Sequence, residues 1–191
     1  SHYLLSGSFD TEKRTSSVNL LKGRGRRVTA EITIPAEVMR THLRVTPEAM
    51  HYGQGISTLA ALLTNSSNNA AHPANGLAAL YLATGQDVAN IGESNQCTTY
   101  NKVTRNGDYY YSITLPSLIV ATYGGGTSLS TQRECLEIMD CYGQDKAMKF
   151  AEIAAALVVA GELSLAAATR TDKENRTNEW VNAHERLGRN R

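Results

Sequence analysis

A long apolar stretch covers residues 149–168. Its apolar side chains fall on every face of a 3.6-residue period, and only Lys149, Glu152 and Glu162 carry charge. A helix of this kind has to be covered by other elements, so the pattern predicts a central helix about 30 Å long. A transmembrane span is the alternative, but each charge at that depth would cost about 2.5 kcal/mol, which favours a soluble core. Glu162 and Ser164 would then be buried and need partners or a bound ligand.

Shorter patterns predict a small antiparallel sheet beside this helix. Residues 28–34 alternate between apolar and polar side chains, which is typical of a half-buried strand. Two further runs, 97–103 and 109–115, flank Asn106-Gly107, a dipeptide that strongly favours a tight hairpin turn. Pro116 is expected to interrupt the second run. The hairpin is therefore predicted to be an antiparallel pair.

The remaining apolar patterns predict helices. One is expected to open at Thr46-Pro47, to loosen at Gly53 and Gly55, and to be followed by a brief apolar run over 56–63. The other predicted helices cover residues 36–43, 70–84, 132–139 and 179–187. The whole pattern predicts an α+β fold in which helices and short antiparallel strands wrap a long buried central helix.

Composition narrows the class of protein. The chain has 191 residues, 41% of them hydrophobic and 19% charged, so a single globular domain is expected. A formal net charge of +1 gives no reason to expect nucleic acid or a membrane surface as a partner. The basic residues of segment 22–27 predict a solvated turn or a small-anion contact. Three cysteines form neither a CxxC pair nor an even disulfide set, so a reducing cytoplasm is predicted and a metal site is not.

Two polar segments are candidates for chemistry from their residues alone. The loop 10–14 collects five polar residues, which indicates either a functional loop or a solvated turn. Three glycines at 124–126 precede a predicted helix, so bare backbone N–H groups could receive an anion or a carbonyl oxygen. This spacing is not a dinucleotide-binding fingerprint. Gly125, Gly126 and Thr127 are nevertheless candidate cofactor contacts.

Several segments, taken in order, resemble the C-terminal half of the catalytic region of class I 3-hydroxy-3-methylglutaryl-CoA (HMG-CoA) reductases. The match extends over nearly the whole chain, and the ending 183–189 is similar to archaeal members. The segments are Ser-Gly-Ser-Phe-Asp-Thr-Glu-Lys-Arg (6–14), Gly-Arg-Gly (23–25), Glu-Ala-Met (48–50), Ala-His-Pro-Ala-Asn (71–75), Gly-Gln-Asp (85–87), Gly-Gly-Gly-Thr (124–127), Ala-Gly-Glu-Leu-Ser-Leu (160–165) and Ala-His (183–184).

The resemblance implies an oxidoreductase of isoprenoid biosynthesis, which reduces HMG-CoA to mevalonate and CoA with two NADPH. Lys13 matches the catalytic lysine, whose ammonium would polarise the carbonyl and stabilise the oxyanion. Asp87 matches the aspartate beside that lysine, which would tune its pKa and relay protons. His184 matches the histidine that would protonate the departing CoA thiolate.

The resemblance also implies a set of substrate contacts. Ser6, Glu12 and Arg14 match positions that hold the HMG carboxylate, with Glu12 and Arg14 replacing the usual aspartate and lysine. His72 and Asn75 match residues near the thioester and the catalytic lysine.

Two further contacts are expected on the central helix. Ser164 and Leu165 would lie where that helix lines the substrate channel.

The family pattern further implies how the chain is completed. Residues 1–191 would be the C-terminal part of the substrate-binding large domain, and the catalytic glutamate and the NADPH-binding small domain would lie outside this chain. A partner chain or N-terminal half is therefore expected, as is a homo-oligomer, because the active sites of the family lie between subunits.

A non-catalytic function is the alternative to the enzymatic one. Residues 53–57 stand where the family has a substrate-binding lysine, and the polar segment 64–69 replaces a glycine-rich stretch. The alternative is an HMG-CoA reductase-like subunit or scaffold that binds or regulates a full-length enzyme.

Overall fold

The computed structural model of the chain describes residues 11–170. Within them, helices and antiparallel strands mix in the predicted α+β arrangement. The elements are α1 (Val18–Lys22), β1 (Arg26–Ile34), α2 (Ala36–Val38) with a π-helical turn (Met39–Leu43), α3 (Pro47–Leu63), α4 (Pro73–Thr84), a 3-10 turn (Val88–Asn90), α5 (Ile91–Ser94), β2 (Thr98–Val103), β3 (Tyr109–Leu118), a second 3-10 turn (Gly125–Ser128), α6 (Ser130–Ile138) and α7 (Ala147–Arg170). The last predicted helix, residues 179–187, lies outside the described residues.

The three strands form one antiparallel sheet in the order β1-β3-β2. The predicted hairpin is confirmed, and Gly107 takes a positive φ of 84° in its turn. Along β3, alternate residues such as Tyr109, Tyr111 and Ile113 point into the core. Contrary to the prediction, β3 continues past Pro116 to Leu118. The proline is tolerated because the pairing with β1 shifts register at this point, so that a backbone donor is not required there.

Helix α7 is the predicted central helix, slightly longer than residues 149–168. It packs on β1, β3, α3 and α4, and buries residues such as Ala154, Val158 and Leu163. The expectation that every face is buried is wrong for this chain, because the small residues Ala156 and Ala160 lie on an exposed stripe together with Ser164. Apolar composition all round the helix does not by itself say which neighbours cover it.

The length and apolar character of α7 would also suit a membrane span. Of its most apolar 18-residue window, 56% is buried inside the fold. The helix therefore serves as a packed core element among the described residues.

Helix α3 is one continuous helix of 17 residues rather than a short helix followed by a loosened run. Its first turn is capped as predicted, because the Thr46 hydroxyl accepts a hydrogen bond from the Ala49 N–H at 3.2 Å. Gly53 and Gly55 do not end the helix, because its inner face, with Met50 and Gln54 buried, packs against the core. Tertiary packing outweighs the about 1 kcal/mol that each glycine costs in a helix.

Candidate active site

Lys13 and Asp87, 74 positions apart in the sequence, form an ion pair. The Lys13 Nζ lies 2.7 Å from the Asp87 Oδ2, and the two side chains are 46% and 48% exposed. Asp87 also caps the 3-10 turn that follows it, since its Oδ1 accepts the Ala89 N–H at 3.0 Å. The pair therefore joins an N-terminal loop to the end of α4 and stays open to solvent on one side.

Each partner stabilises the charged form of the other. The hydrogen bond and the negative charge of Asp87 raise the pKa of Lys13 above its ordinary 10.5. The hydrogen bond from Lys13, followed by the bond from the Ala89 N–H, lowers the pKa of Asp87 below 3.8. At neutral pH the site therefore presents an ammonium beside a carboxylate, which suits electrostatic stabilisation of an oxyanion better than proton abstraction by the lysine.

A fully buried carboxylate holds the backbone of Lys13. Glu93, on α5, accepts the Lys13 backbone N–H at 3.2 Å. The Nη1 of Arg24 donates to both carboxylate oxygens of Glu93, at 3.1 and 3.3 Å. Close packing supports these contacts, because a Cβ added to Gly92 would lie 3.0 Å from the Lys13 carbonyl oxygen. Lys13 adopts a positive φ of 59°, a conformation that this anchoring maintains.

The buried side chain of Asn19 holds the same loop through two hydrogen bonds. This residue is 2% exposed; it accepts a hydrogen bond from the Thr11 hydroxyl at 2.6 Å and donates to the Arg14 carbonyl at 3.2 Å. The loop is therefore anchored through its backbone while the side chains of Glu12, Lys13 and Arg14 stay exposed. This anchoring fixes the backbone of the loop and leaves open both sequence interpretations, the functional loop and the solvated turn.

Sequence reasoning missed Glu93 and gave Arg24 another role. The basic segment 22–27 was predicted to be a solvated turn or a small-anion contact, whereas Arg24 pairs with a buried side chain of the protein itself. Helix α5 has only four residues, too few to show a periodic pattern. No signal in the sequence marks Glu93 as buried.

The glycine-rich loop packs directly against the segment that carries Asp87. Gly85 ends α4 with a positive φ of 68°, and a Cβ added to it would lie 2.3 Å from the Gly126 carbonyl oxygen. Gln86 fastens the two segments, since its amide donates to the Ala121 carbonyl at 2.8 Å and accepts the Ala121 N–H at 2.7 Å. Between them lies a cleft of about 350 Å³, whose lining includes Asp87 and Gly125. The candidate cofactor contacts Gly125, Gly126 and Thr127 therefore adjoin the ion pair.

A second polar cluster joins the start of α4 to α7. Glu162, 5% exposed, accepts the backbone N–H groups of Ala71 and His72 at 2.9 and 2.7 Å through one oxygen. The His72 ring lies between two glycines, because a Cβ added at Gly161 or Gly76 would be 1.9 or 2.6 Å from the ring Cε1. This arrangement supplies the partners that the sequence predicted Glu162 would need.

The remaining predicted site residues lie away from the Lys13–Asp87 ion pair or outside the described residues. Asn75 is exposed on the first turn of α4, at the opposite end of that helix from Asp87, and 12 residues of helix rise about 18 Å. Ser164 is exposed, which corrects its predicted burial, and lines an apolar groove of about 450 Å³ between α7 and β1. Leu165 beside it is half-buried. Ser6 and His184 lie outside the described residues.

Comparison with known proteins places these motifs in one family. The family described as hydroxymethylglutaryl-coenzyme A reductase matches residues 1–189. The chain is 39% identical over 186 residues to the 3-hydroxy-3-methylglutaryl-coenzyme A reductase of Methanocaldococcus jannaschii, covering 97% of this chain and 44% of that protein. The chain is 41% identical over 186 residues to the protein of the same name from Methanothermobacter thermautotrophicus, covering 97% of this chain and 45% of that protein. It is 39% identical over 174 residues to the Drosophila melanogaster protein, covering 86% of this chain and 19% of that protein. The chain spans less than half the length of these relatives.

Proposed function

Because the chain belongs to the hydroxymethylglutaryl-coenzyme A reductase family, we propose that it contributes the lysine and aspartate of an HMG-CoA reductase active centre. The reaction is the reduction of HMG-CoA to mevalonate and CoA. The observation that carries this proposal is the 2.7 Å contact between Lys13 Nζ and Asp87 Oδ2, on an anchored loop beside a glycine-lined cleft.

The chain's own residues would act mainly through charge. An ammonium has three N–H donors, of which Asp87 takes one, so Lys13 can also donate to the thioester oxygen of the substrate. That oxygen becomes an oxyanion at each reduction step, and a fixed positive charge beside it lowers the barrier. Asp87 keeps Lys13 protonated, so the ammonium can give a proton to the product oxygen and regain one from solvent by way of Asp87. The histidine at position 184 would protonate the CoA thiolate, in keeping with its place in the family motif.

The HMG carboxylate would be held by the loop that carries Lys13. Arg14 supplies a cation there in place of the family's usual lysine. Ser6 and Glu12 would be the other contacts, with Glu12 in place of the usual aspartate. His72, Asn75, Ser164 and Leu165 would contact the rest of the thioester substrate. The anchoring of this loop by Glu93 would hold Lys13 and its neighbours in a fixed position relative to Asp87.

NADPH would supply the hydrides. Gly124 and Gly125 have open space where a side chain would stand, so the cleft beside Asp87 can admit a small polar part of such a cofactor against bare backbone. A cleft of about 350 Å³ is too small for a whole dinucleotide. Residues outside this chain would therefore bind most of the cofactor, with Gly125, Gly126 and Thr127 as its contacts here.

The remaining parts of the enzyme would come from a partner chain or an N-terminal half that carries the catalytic glutamate and the NADPH-binding domain. In this proposal residues 1–191 are one domain, the C-terminal part of the substrate-binding portion, working in the cytoplasm in an oligomer of the completed complex. The packing of α7 inside the fold supports a location away from the membrane.

The test is reconstitution. The chain is mixed with the N-terminal half of an archaeal relative, and HMG-CoA-dependent oxidation of NADPH is followed by its absorbance. We expect Lys13→Met to lower turnover at least about 100-fold, as the loss of an oxyanion-stabilising donor does. Lys22→Met, which changes an exposed lysine at the end of α1, is the matched control and should leave turnover unchanged. Equal rates for the two variants, or no HMG-CoA-dependent oxidation in any mixture, would overturn the proposal.

One observation favours a second candidate, a non-catalytic subunit that binds or regulates a full-length reductase. Residues 53–57 stand where the family has a substrate-binding lysine. Within this segment the Ser57 hydroxyl accepts a hydrogen bond from the Arg170 Nη2 at 3.2 Å, so it packs against α7. Calorimetry separates the candidates: tight association with a full-length reductase without affinity for HMG-CoA supports the second one.

A further inference from the structure

Arg170, in the last turn of α7, places its guanidinium against α3. The Nη1 donates to the Met50 carbonyl at 3.4 Å. The Nη2 donates to the Ser57 hydroxyl at 3.2 Å and lies 3.5 Å from the Gln54 Oε1. All three acceptors are neutral. Arg170 is therefore half-buried between two helices and held there by uncharged oxygen atoms.

The missing side chain of Gly53 makes room for this guanidinium. A Cβ added to Gly53 would lie 2.3 Å from the Arg170 Nε and 2.5 Å from its Cδ. By contrast, a Cβ added to Gly55 would meet no atom within 4 Å. A glycine inside a helix costs about 1 kcal/mol relative to alanine. At position 53 that cost allows a close approach of Arg170 to the backbone of α3.

The surroundings of the guanidinium suit an anionic oxygen ligand. Among the ion pairs within residues 11–170, none includes Arg170. Burial raises the pKa of Tyr109 to about 12, and the charge of Arg170 counteracts part of this rise, so the two groups lie close enough to interact. The Tyr109 hydroxyl is buried and has no hydrogen-bond partner among the same residues. A partly desolvated cation near an unused hydroxyl donor favours a carboxylate, whose planar oxygens match the guanidinium.

The position of Arg170 coincides with a departure from the family pattern. Residues 53–57 stand where the family has a substrate-binding lysine, and none of these residues is charged. The Arg170 side chain contacts both ends of this segment, at Gly53 and at Ser57. The chain therefore brings a cation from α7 to the part of α3 on which the family carries its own. Electrostatic attraction depends on where a charge lies, so a residue of another helix can bind the same ligand.

We propose that Arg170 is a specificity-determining residue, which binds the free carboxylate of the acyl-CoA substrate in place of the missing lysine. This inference rests on the proposed reductase function and adds a substrate contact to it. A carboxylate offers about four lone pairs on two oxygens, so the contact adds to those proposed for the Lys13 loop. The free carboxylate is remote from the thioester, so Arg170 acts on substrate binding rather than on the chemical step.

The first test compares two thioesters in the complex reconstituted with the N-terminal half of an archaeal relative. HMG-CoA carries the free carboxylate, and 3-hydroxy-3-methylbutyryl-CoA has the same acyl group without it. We expect Arg170→Gln to weaken HMG-CoA binding about 10–100-fold in calorimetry, because a charge-assisted contact is lost, and to leave the second thioester unaffected. Arg170→Lys keeps the charge and should lose less. Arg40→Gln, exposed on the π-helical turn, is the matched control and should change neither affinity.

The second test returns the cation to α3. Ser57→Lys, added to Arg170→Gln, would bring an ammonium close to the place that the guanidinium leaves, because the Ser57 hydroxyl lies 3.2 Å from the Arg170 Nη2. We expect this change to restore HMG-CoA affinity at least about 10-fold. Circular dichroism checks the fold of each variant. Gly53→Ala, which would displace the guanidinium and keep its charge, replaces Arg170→Gln should that variant unfold.

Three results would overturn the role of Arg170: equal losses for the two thioesters, unchanged HMG-CoA affinity in Arg170→Gln, or an effect confined to assembly with the N-terminal half. The first two would indicate a structural contact, and the third an ion pair with that half. NADPH oxidation separates this proposal from the enzymatic one. In a complex that turns over, these results refute only the role of Arg170, whereas carboxylate-dependent binding without turnover refutes the reductase function and supports the binding role.

Discussion

The buried carboxylate of Glu162 should be one of the most sensitive positions for stability. Its Oε2 accepts two backbone N–H groups, from Ala71 at 2.9 Å and from His72 at 2.7 Å, and the residue is only 5% exposed. Glu162→Ala leaves both donors without an acceptor and opens a cavity between α4 and α7. Hydrogen bonds to a charged group contribute about 1.5–3 kcal/mol each, so the expected loss in the free energy of unfolding is about 3–5 kcal/mol.

Two comparison variants separate the hydrogen bonds from other effects. Glu162→Gln keeps a carbonyl oxygen that can accept both N–H groups and loses only the charge beside the helix start, so about 1–2 kcal/mol is expected. Glu152→Ala removes an exposed glutamate from the same helix and should change stability by less than about 0.5 kcal/mol.

Urea denaturation followed by circular dichroism measures the three variants, with an unchanged slope m as the sign that only stability has changed. Hydrogen exchange gives a local readout, because the amides of Ala71 and His72 should exchange faster in the alanine variant than in the glutamine variant. If the alanine and glutamine variants were equally stable, or if the alanine variant lost less than about 1 kcal/mol, the two hydrogen bonds would not be what holds α4 to α7.

Two further predictions concern other contacts. In Asp87→Asn the pKa of Lys13 should fall toward its ordinary 10.5, because the bond and the charge of Asp87 raise it; an NMR titration of labelled lysine that shows no change would refute this. In the unaltered chain the stabilisation from this pair is complete between pH 3.8 and pH 10.5, the ordinary pKa values of the two groups. It is lost as pH falls from 3.8 through the lowered pKa of Asp87, or rises from 10.5 through the raised pKa of Lys13. Gly161→Ala should lower the free energy of unfolding by about 1–3 kcal/mol, because the added Cβ would displace the His72 ring. Gly55→Ala should raise it by up to about 1 kcal/mol, because the added Cβ would lie in open space. Urea denaturation at low protein concentration checks this pair, and equal effects would contradict the packing.

Local patterns predicted the elements well where one period dominated. The alternation on both sides of Asn106-Gly107 predicted the hairpin, since turn type and side-chain alternation are both encoded within a few residues. The apolar run at 149–168 predicted α7 to within two residues at each end. The prediction for α3 was wrong because glycine propensity is a weak local effect, and the packing of the inner face outweighs it.

Local sequence patterns predicted the candidate active site less well than the helices and strands. Lys13 and Asp87 became candidates through resemblance to a family, and only the folded chain shows them 2.7 Å apart. The burial of Glu93 beneath Lys13 had no signal at all. Such contacts join residues many positions apart, and no local period records the path of the chain between them.

The sequence by itself determined the hairpin and the long apolar helix α7, because backbone periodicity and turn chemistry act between near neighbours. It also determined that Glu162 needed a partner, because a polar group within an apolar stretch is costly to bury alone. Only the tertiary structure decided that this partner is the start of α4, that Ser164 faces outward, and that α3 exposes large apolar side chains to solvent. The physical reason is that hydrophobicity favours burial without specifying the covering surface, which depends on how distant segments pack together.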